Sequence, residues 1–134
     1  MNEVQHTSIY IARRPGDIYV YASNPKNVPN WASGLASSEV SKDGDAWVVD
    51  APFGRVKVKF AEKISFGVMD HEVELDTGVI VHNPMRVIPN GEGSEFIFTL
   101  IRQPEISNEQ FTKDKMAVEK DLHTLKIILE CAHK

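Results

Sequence analysis

The middle of the chain, residues 36 to 103, has the pattern of a series of short strands, and one long helical pattern follows it. The segments are rich in β-branched and aromatic residues and alternate between apolar and polar positions, as half-buried strands do. The turns between them are short and therefore join antiparallel neighbours, since parallel strands need a longer crossover. The six predicted strands lie at 38–42, 46–51, 55–63, 67–75, 78–88 and 94–103.

The C-terminal segment changes from a two-residue period to a helical one. Ser107 and Gln110 have the spacing of a capping box, which marks the start of a helix. The apolar residues after them recur at helical intervals, which predicts a helix of about 25 residues and ~37 Å. This apolar stripe consists of Phe111, Val118, Leu122, Leu125, Leu129 and Ala132.

The N-terminal part adds one strand and two short helices. Residues 4–12 are rich in β-branched side chains, and Pro15 suits the first turn of the helix that follows. A second short helix carries Val28 and Trp31 on one face. A sheet followed by one long amphipathic helix must bury the helix stripe on its inner face. The predicted fold class is α+β, a single domain over 1–134, with a curved seven-stranded antiparallel sheet around the C-terminal helix.

Composition narrows the classes of partner. With 134 residues, 42% of them hydrophobic and 25% charged, the chain fits one globular domain that needs no disulfide or metal to fold. A net charge of −4 disfavours nucleic acid, whose phosphates attract clustered Lys and Arg. The prediction is a monomer or homodimer that binds a small hydrophobic molecule.

The cysteine content and the lack of a recognisable targeting or membrane-spanning segment indicate the cellular location. The single cysteine, Cys131, suits a reducing compartment, and the first residues do not resemble a secretory signal. No apolar segment approaches the ~20 residues that cross a bilayer, so stable membrane insertion is not expected. We therefore predict a cytoplasmic protein. Residues 90–93 lack the spacing of a phosphate loop, and we predict neither a cofactor nor a metal.

Two histidines, His71 and His82, lie on the two arms of a predicted hairpin, and the turn decides their relation. A two-residue turn would place them opposite each other as a pair. A three-residue turn, with Gly78 as a left-handed bulge, would instead oppose His71 to Asn83 and turn His82 outward. The first register buries Arg86, which is costly, so we predict the second. His71 then faces the inside of the sheet.

The concave face of this sheet is predicted to be apolar with few polar side chains, and Asp121 approaches it from the long helix. Such a concavity is the usual form of a small-molecule site. The predicted ligand-binding residues are His71, Asn83, Tyr10, Trp47, Phe60, Met69, Met85, Phe96, Phe98 and Asp121.

Several of these residues have more than one interpretation. His71 can orient or protonate a ligand, or be a buried histidine that Asn83 satisfies. Asp121 fits a rim carboxylate better than a general base. His82 beside Glu72 suggests an external metal site, but acidic side chains facing a lysine row are more typical of a solvated surface. Trp31 is expected in the core or in the cavity wall.

The order of elements resembles the START-like superfamily, also called SRPBCC. The resemblance is carried by "TSIYIARRPGDIYVYASNPKNVPNWASG" at 7–34, the hairpin-rich middle, and "VEKDLHTLKIILE" at 118–130. The superfamily includes lipid-transfer domains, polyketide aromatase/cyclases and coenzyme Q-binding proteins. The resemblance implies a helix-grip fold, in which the sheet wraps the last helix around a hydrophobic cavity. The superfamily has no universal catalytic motif, so the resemblance does not assign catalytic residues.

Three functions fit these observations. The first is binding of a small hydrophobic or aromatic ligand, such as a lipid, a quinone or a polyketide-like compound, in the cavity. The second is an aromatase/cyclase- or dehydratase-type enzyme with His71 as general acid or base, assisted by Asp121 or Tyr10. The third is a protein-interaction module without a ligand. Fold alone does not choose among them.

Overall fold

The computed structural model describes residues 1–32, 38–51, 54–60 and 66–131, and these form an α+β domain as expected. The turn at 52–53, the end of the predicted strand at 61–63 and the last stripe residue, Ala132, lie outside the described residues. The strands are β1 (Val4–Ile11), β2 (Glu39–Asp43), β3 (Ala46–Ala51), β4 (Gly54–Phe60), β5 (His71–Glu74), β6 (Ile80–Asn83), β7 (Met85–Asn90) and β8 (Gly93–Ile101). The helices are α1 (Pro15–Ala22), a 3₁₀ turn (Pro25–Asn27), α2 (Val28–Trp31) and α3 (Asn108–Cys131).

The strands form two antiparallel sheets of three and five strands, in the orders β1-β8-β7 and β2-β3-β4-β5-β6. The predicted sheet of seven strands is therefore wrong in its count. The predicted strand 78–88 is divided at Pro84, which has no backbone N–H to donate to a sheet ladder. Beyond the break, Met69 N–H donates to Met85 O at 2.8 Å, which places the chain before β5 against β7.

The register around Gly78 is the one that the sequence predicts. Glycine 78 has a φ of 88°, the left-handed conformation that the bulge requires. His71 lies opposite Asn83, and Glu72 lies opposite His82. The next pair of strands also agrees, with Phe60 opposite His71. The two histidines therefore lie on opposite faces of the sheet.

Helix α3 packs its apolar stripe against the sheets. Its buried residues are Phe111, Leu122, Leu125 and Leu129. Ser107 caps its first turn, because the hydroxyl accepts a hydrogen bond from Gln110 N–H at 3.1 Å. The Gln110 side chain donates to Asp114 instead of closing the capping box. In the part of the chain that the structure describes, no helix has the length and apolar character to cross a membrane.

Candidate functional site

A cavity of about 250 Å³ lies between the inner face of the sheets, helix α2 and helix α3. Most of its wall is apolar, with polar side chains from β5, β6 and α3. The wall residues are Val28, Trp31, Ala32, Val58, His71, Val73, Asn83, Met85, Phe98, Val118, Asp121 and Leu122. An apolar hollow with a few polar groups can bind a small molecule by contact area and orient it by hydrogen bonds.

The structure brings half of the predicted site residues together in this wall. They are His71, Asn83, Met85, Phe98 and Asp121. The two polar residues of the hairpin reach the cavity because the bulge at Gly78 turns both toward the inner face. Asp121 reaches it from α3, one position before the buried Leu122.

Three further predicted residues support the wall without lining the cavity, and one of them, Phe60, lines a second concavity next to it. The Phe60 ring stacks on the His71 imidazole, with ring centroids 4.7 Å apart and planes at 23°. Met69 and Phe96 are fully buried in the main core cluster. Their contribution is to hold the wall residues in place, and neither lines the cavity.

Tyr10 does not face the cavity, which corrects the expected position. Strand β1 directs Ile9 and Ile11 inward, and Tyr10, between them, is 41% exposed. Its ring lies 5.6 Å from the Lys126 ammonium group at the edge of the sheet. Because side chains alternate between the two faces of a strand, the inward positions of Ile9 and Ile11 exclude Tyr10 from the inner face.

Trp47 also lies outside the cavity wall. It pairs with Val58 across strands β3 and β4, so it shares the face that was expected. The Lys26 and Lys42 ammonium groups lie 5.9 and 6.0 Å from its ring. Trp47 is therefore half-buried beside these two lysines and does not line the cavity.

His71 has protein contacts at both ring nitrogens. Its Nδ1 lies 3.3 Å from the Met69 carbonyl oxygen, and its Nε2 lies 3.4 Å from Asn83 Nδ2. A neutral ring with the proton on Nδ1 satisfies both contacts, since it donates to the carbonyl and accepts from the amide. Burial lowers the pKa of His71 below its ordinary value of 6.5, against the opposing effects of the Met69 carbonyl and the Asp70 charge. The imidazole is therefore neutral at pH 7.

His82 lies on the outer face, where its Nδ1 is 3.6 Å from a carboxylate oxygen of Glu72. The His82 and Glu72 side chains are 62% and 50% exposed, so water solvates the pair. Among the residues that the structure describes, no three His, Cys, Asp or Glu side chains come together in a group that would hold a metal.

Asp70 stabilises the chain where the strand is interrupted at Pro84, beside the site. Its Oδ1 accepts hydrogen bonds from Met85 N–H at 2.9 Å and from Arg86 Nε at 3.1 Å. Its Oδ2 accepts from the second Arg86 nitrogen at 2.8 Å. The hydrogen bonds from Arg86 lower the pKa of Asp70, although partial burial opposes them. The carboxylate thus accepts the hydrogen bond of the first N–H of β7, directly after the break at Pro84.

A second concavity of about 280 Å³ lies next to the cavity, and His71 and Asn83 contribute to both. Its other residues are Phe60 and Pro84 and four ionisable side chains, Lys59, Asp70, Glu72 and His82. Because charged, exposed side chains are strongly hydrated, this groove is less suited to an apolar molecule than the cavity.

Seven of the wall residues lie outside the predicted ligand-binding set, and three of them come from α2 and its C-terminal end. Val28 and Trp31, three residues apart, face the cavity together, followed by Ala32; of these, Trp31 was expected in the core or in the cavity wall. Their spacing identified one face of a helix, but nothing in the sequence gives the position of a short helix relative to the sheet. Val73 and Val118 belong to alternation and stripe patterns that predicted burial, and burial alone does not distinguish core from cavity wall.

Comparison of the sequence with protein-family models gives no match, and comparison with curated proteins gives none either. Solved structures do match. DynU16, from the dynemicin biosynthetic locus, is 12% identical with a TM-score of 0.73 over 97% of this chain, which spans 48% of DynU16. Ara h 8.0201 is 11% identical with a TM-score of 0.68, covering 96% of this chain and 98% of its own. The Aha1 dimer from Colwellia psychrerythraea is 16% identical with a TM-score of 0.74, covering 98% and 99%.

TM-scores of 0.68 to 0.74 over nearly the whole chain show that these structures share its overall fold. Identities this low establish the fold alone. The chain therefore has the helix-grip fold that the sequence resemblance implied.

Proposed function

We propose that this protein binds a small apolar, preferably aromatic, molecule in the cavity between the sheet and α3. The observation that carries this proposal is the cavity of about 250 Å³, with an apolar wall and His71, Asn83 and Asp121 on it. Two of the neighbouring structures, DynU16 and Ara h 8.0201, support the fold on which the cavity depends.

The volume limits the size of the ligand. An engineered apolar cavity of roughly 150 Å³ binds benzene, and drug-sized ligands occupy roughly 300–1,000 Å³. A cavity of about 250 Å³ therefore suits a molecule of one or two rings. A two-chain lipid would have to extend far outside it. Of the ligand classes that the sequence suggests, a quinone or a compact polyketide-like compound fits better than a lipid.

The enzymatic alternative has less support from the contacts. An acid or base needs a free nitrogen toward the substrate, but both His71 nitrogens already have partners in Met69 and Asn83. Of the two expected helpers, Asp121 lines the cavity but Tyr10 lies outside it. The interaction module is favoured by a surface groove of about 570 Å³ between α1 and β7, where Val20 and Phe66 are 70% and 79% exposed. A protein-interaction module would not account for the open cavity in the interior.

Native mass spectrometry of freshly purified protein tests the proposal. We expect a retained small molecule, or a mass shift on addition of naphthalene. Val118→Phe, which adds bulk to the cavity wall, should abolish retention. Met116→Phe, on the same helix but 62% exposed, is the matched control and should leave it unchanged. Equal retention in both variants would place the molecule elsewhere and contradict the proposal.

A further inference from the structure

The cavity wall contains one buried hydrogen-bond donor without an acceptor. Trp31 is 5% exposed and lines the cavity, and within the described residues its indole Nε1–H has no hydrogen-bond partner. Buried polar groups are nearly always paired, because a donor removed from water and left unpaired costs free energy. The exception at Trp31 therefore calls for a partner that the described part of the chain does not supply.

The position of this donor is fixed by packing. The Trp31 ring makes an edge-to-face contact with the buried Phe96, with centroids 6.2 Å apart and planes at 77°. Ala32 N–H donates to Val28 O at 2.8 Å, which closes the α2 turn beneath the ring. A donor held in this way loses little conformational freedom when an acceptor arrives.

We infer that Trp31 Nε1–H is the hydrogen-bond donor to an oxygen of the ligand, which is an uncharged one- or two-ring molecule carrying a carbonyl group. This inference rests on the proposed function, because it names the chemistry of the ligand in the same cavity. A carbonyl oxygen is an acceptor without a donor, so it complements a lone N–H.

The charges on the wall specify an uncharged ligand. The described wall residues include no Lys or Arg, and His71 is neutral, whereas Asp121 contributes a carboxyl group. A ligand carboxylate would enter an apolar cavity without a cation to balance it, which is unfavourable. A ketone avoids this cost and still satisfies the indole.

Three probes of similar size separate these properties. They are naphthalene, which has no acceptor; 1-tetralone, which has one carbonyl; and 1-naphthoate, which has a carboxylate. We expect 1-tetralone to bind the wild-type protein more tightly than either of the others by isothermal titration calorimetry. Trp31→Phe keeps a ring but removes the N–H, and should weaken 1-tetralone about three- to tenfold more than it weakens naphthalene. Trp47→Phe, which changes the only other tryptophan, should alter neither affinity.

A spectroscopic measurement on the wild-type protein tests the same inference without a variant that must fold. The chain has two tryptophans, so its ¹H–¹⁵N spectrum contains two indole signals, which Trp47→Phe assigns. The Trp31 indole proton should move downfield with 1-tetralone, as expected for a new hydrogen bond, and should not do so with naphthalene.

The outcomes separate the two proposals. If no probe binds, the proposed function fails and this inference fails with it. If naphthalene and 1-tetralone bind equally and the Trp31 indole proton does not move downfield, only the carbonyl inference is overturned. Tighter binding of 1-naphthoate than of 1-tetralone would overturn the assignment of an uncharged ligand.

Discussion

Replacing Asp70 by alanine removes, in one step, the partner of a buried backbone N–H and both partners of Arg86. Met85 is fully buried, and its N–H donates to Asp70 Oδ1 at 2.9 Å. Leaving such a donor unpaired costs about 1–3 kcal/mol. The Arg86 contact is half exposed and contributes about 0.2–1 kcal/mol. Together they predict that Asp70→Ala destabilises the protein by about 1–4 kcal/mol.

Two further variants separate these contributions. Asp70→Asn keeps an oxygen for Met85 N–H but loses the charge, so it should cost only about 0.5–1 kcal/mol. Asp50→Ala is the matched control, because Asp50 pairs with Arg55 at 3.0 Å on an exposed part of the sheet. It should cost less than about 1 kcal/mol.

Equilibrium urea denaturation measures all three variants, read from midpoints at constant slope. The pH dependence provides a second check. Because Arg86 lowers the pKa of Asp70, the charged form stabilises the fold above about pH 3.8, and this stabilisation is lost as pH falls further. The difference between wild type and Asp70→Asn should therefore shrink in acid. If Asp70→Ala costs no more than Asp50→Ala, the role given to Asp70 at the strand break is refuted.

Two other changes test the site and its register. Burial lowers the pKa of His71, so on acidification the imidazole is protonated in the unfolded chain before it is protonated in the folded protein. Below about pH 6.5 the free energy of unfolding should therefore fall by up to ~1.4 kcal/mol per pH unit, until the pH is below the pKa of the folded protein. His71→Gln should lose this contribution in urea titrations and His82→Gln should keep it; equal slopes would contradict the burial of His71. Gly78→Ala should cost about 1 kcal/mol from its φ of 88° alone, since an added Cβ has open space. Gly16→Ala, in α1 and equally open, should be neutral or stabilising, and equal effects in thermal unfolding would argue against backbone strain at Gly78.

The hairpin register could be predicted from the sequence because a slip of one residue has an all-or-none cost. Moving Arg86 to the inner face would bury a charge, whereas the bulge at Gly78 places it outside beside Asp70. The long helix was also readable, since its apolar stripe continues over several turns and Ser107 caps its start. Both features depend on local periodicity and on strong local penalties.

The strand break and the far wall of the cavity could not be predicted in the same way. Pro84 interrupts an otherwise continuous strand pattern. The N–H of Met85, directly after it, bonds to Asp70, which is 15 residues earlier and is not identified by the local pattern. The contribution of Trp31 depends on how α2 sits over the sheet, which is a tertiary property. Tyr10 lies on the outer face because the alternation of β1 directs its neighbours Ile9 and Ile11 into the core.

A crystal structure of the protein grown with naphthalene tests the cavity most directly. We predict that the naphthalene rings lie between α2 and the inner face of the sheet, in contact with Trp31, Val73 and Val118. Side chains that fill this space, or naphthalene bound only in the surface groove beside Val20 and Phe66, would contradict the account.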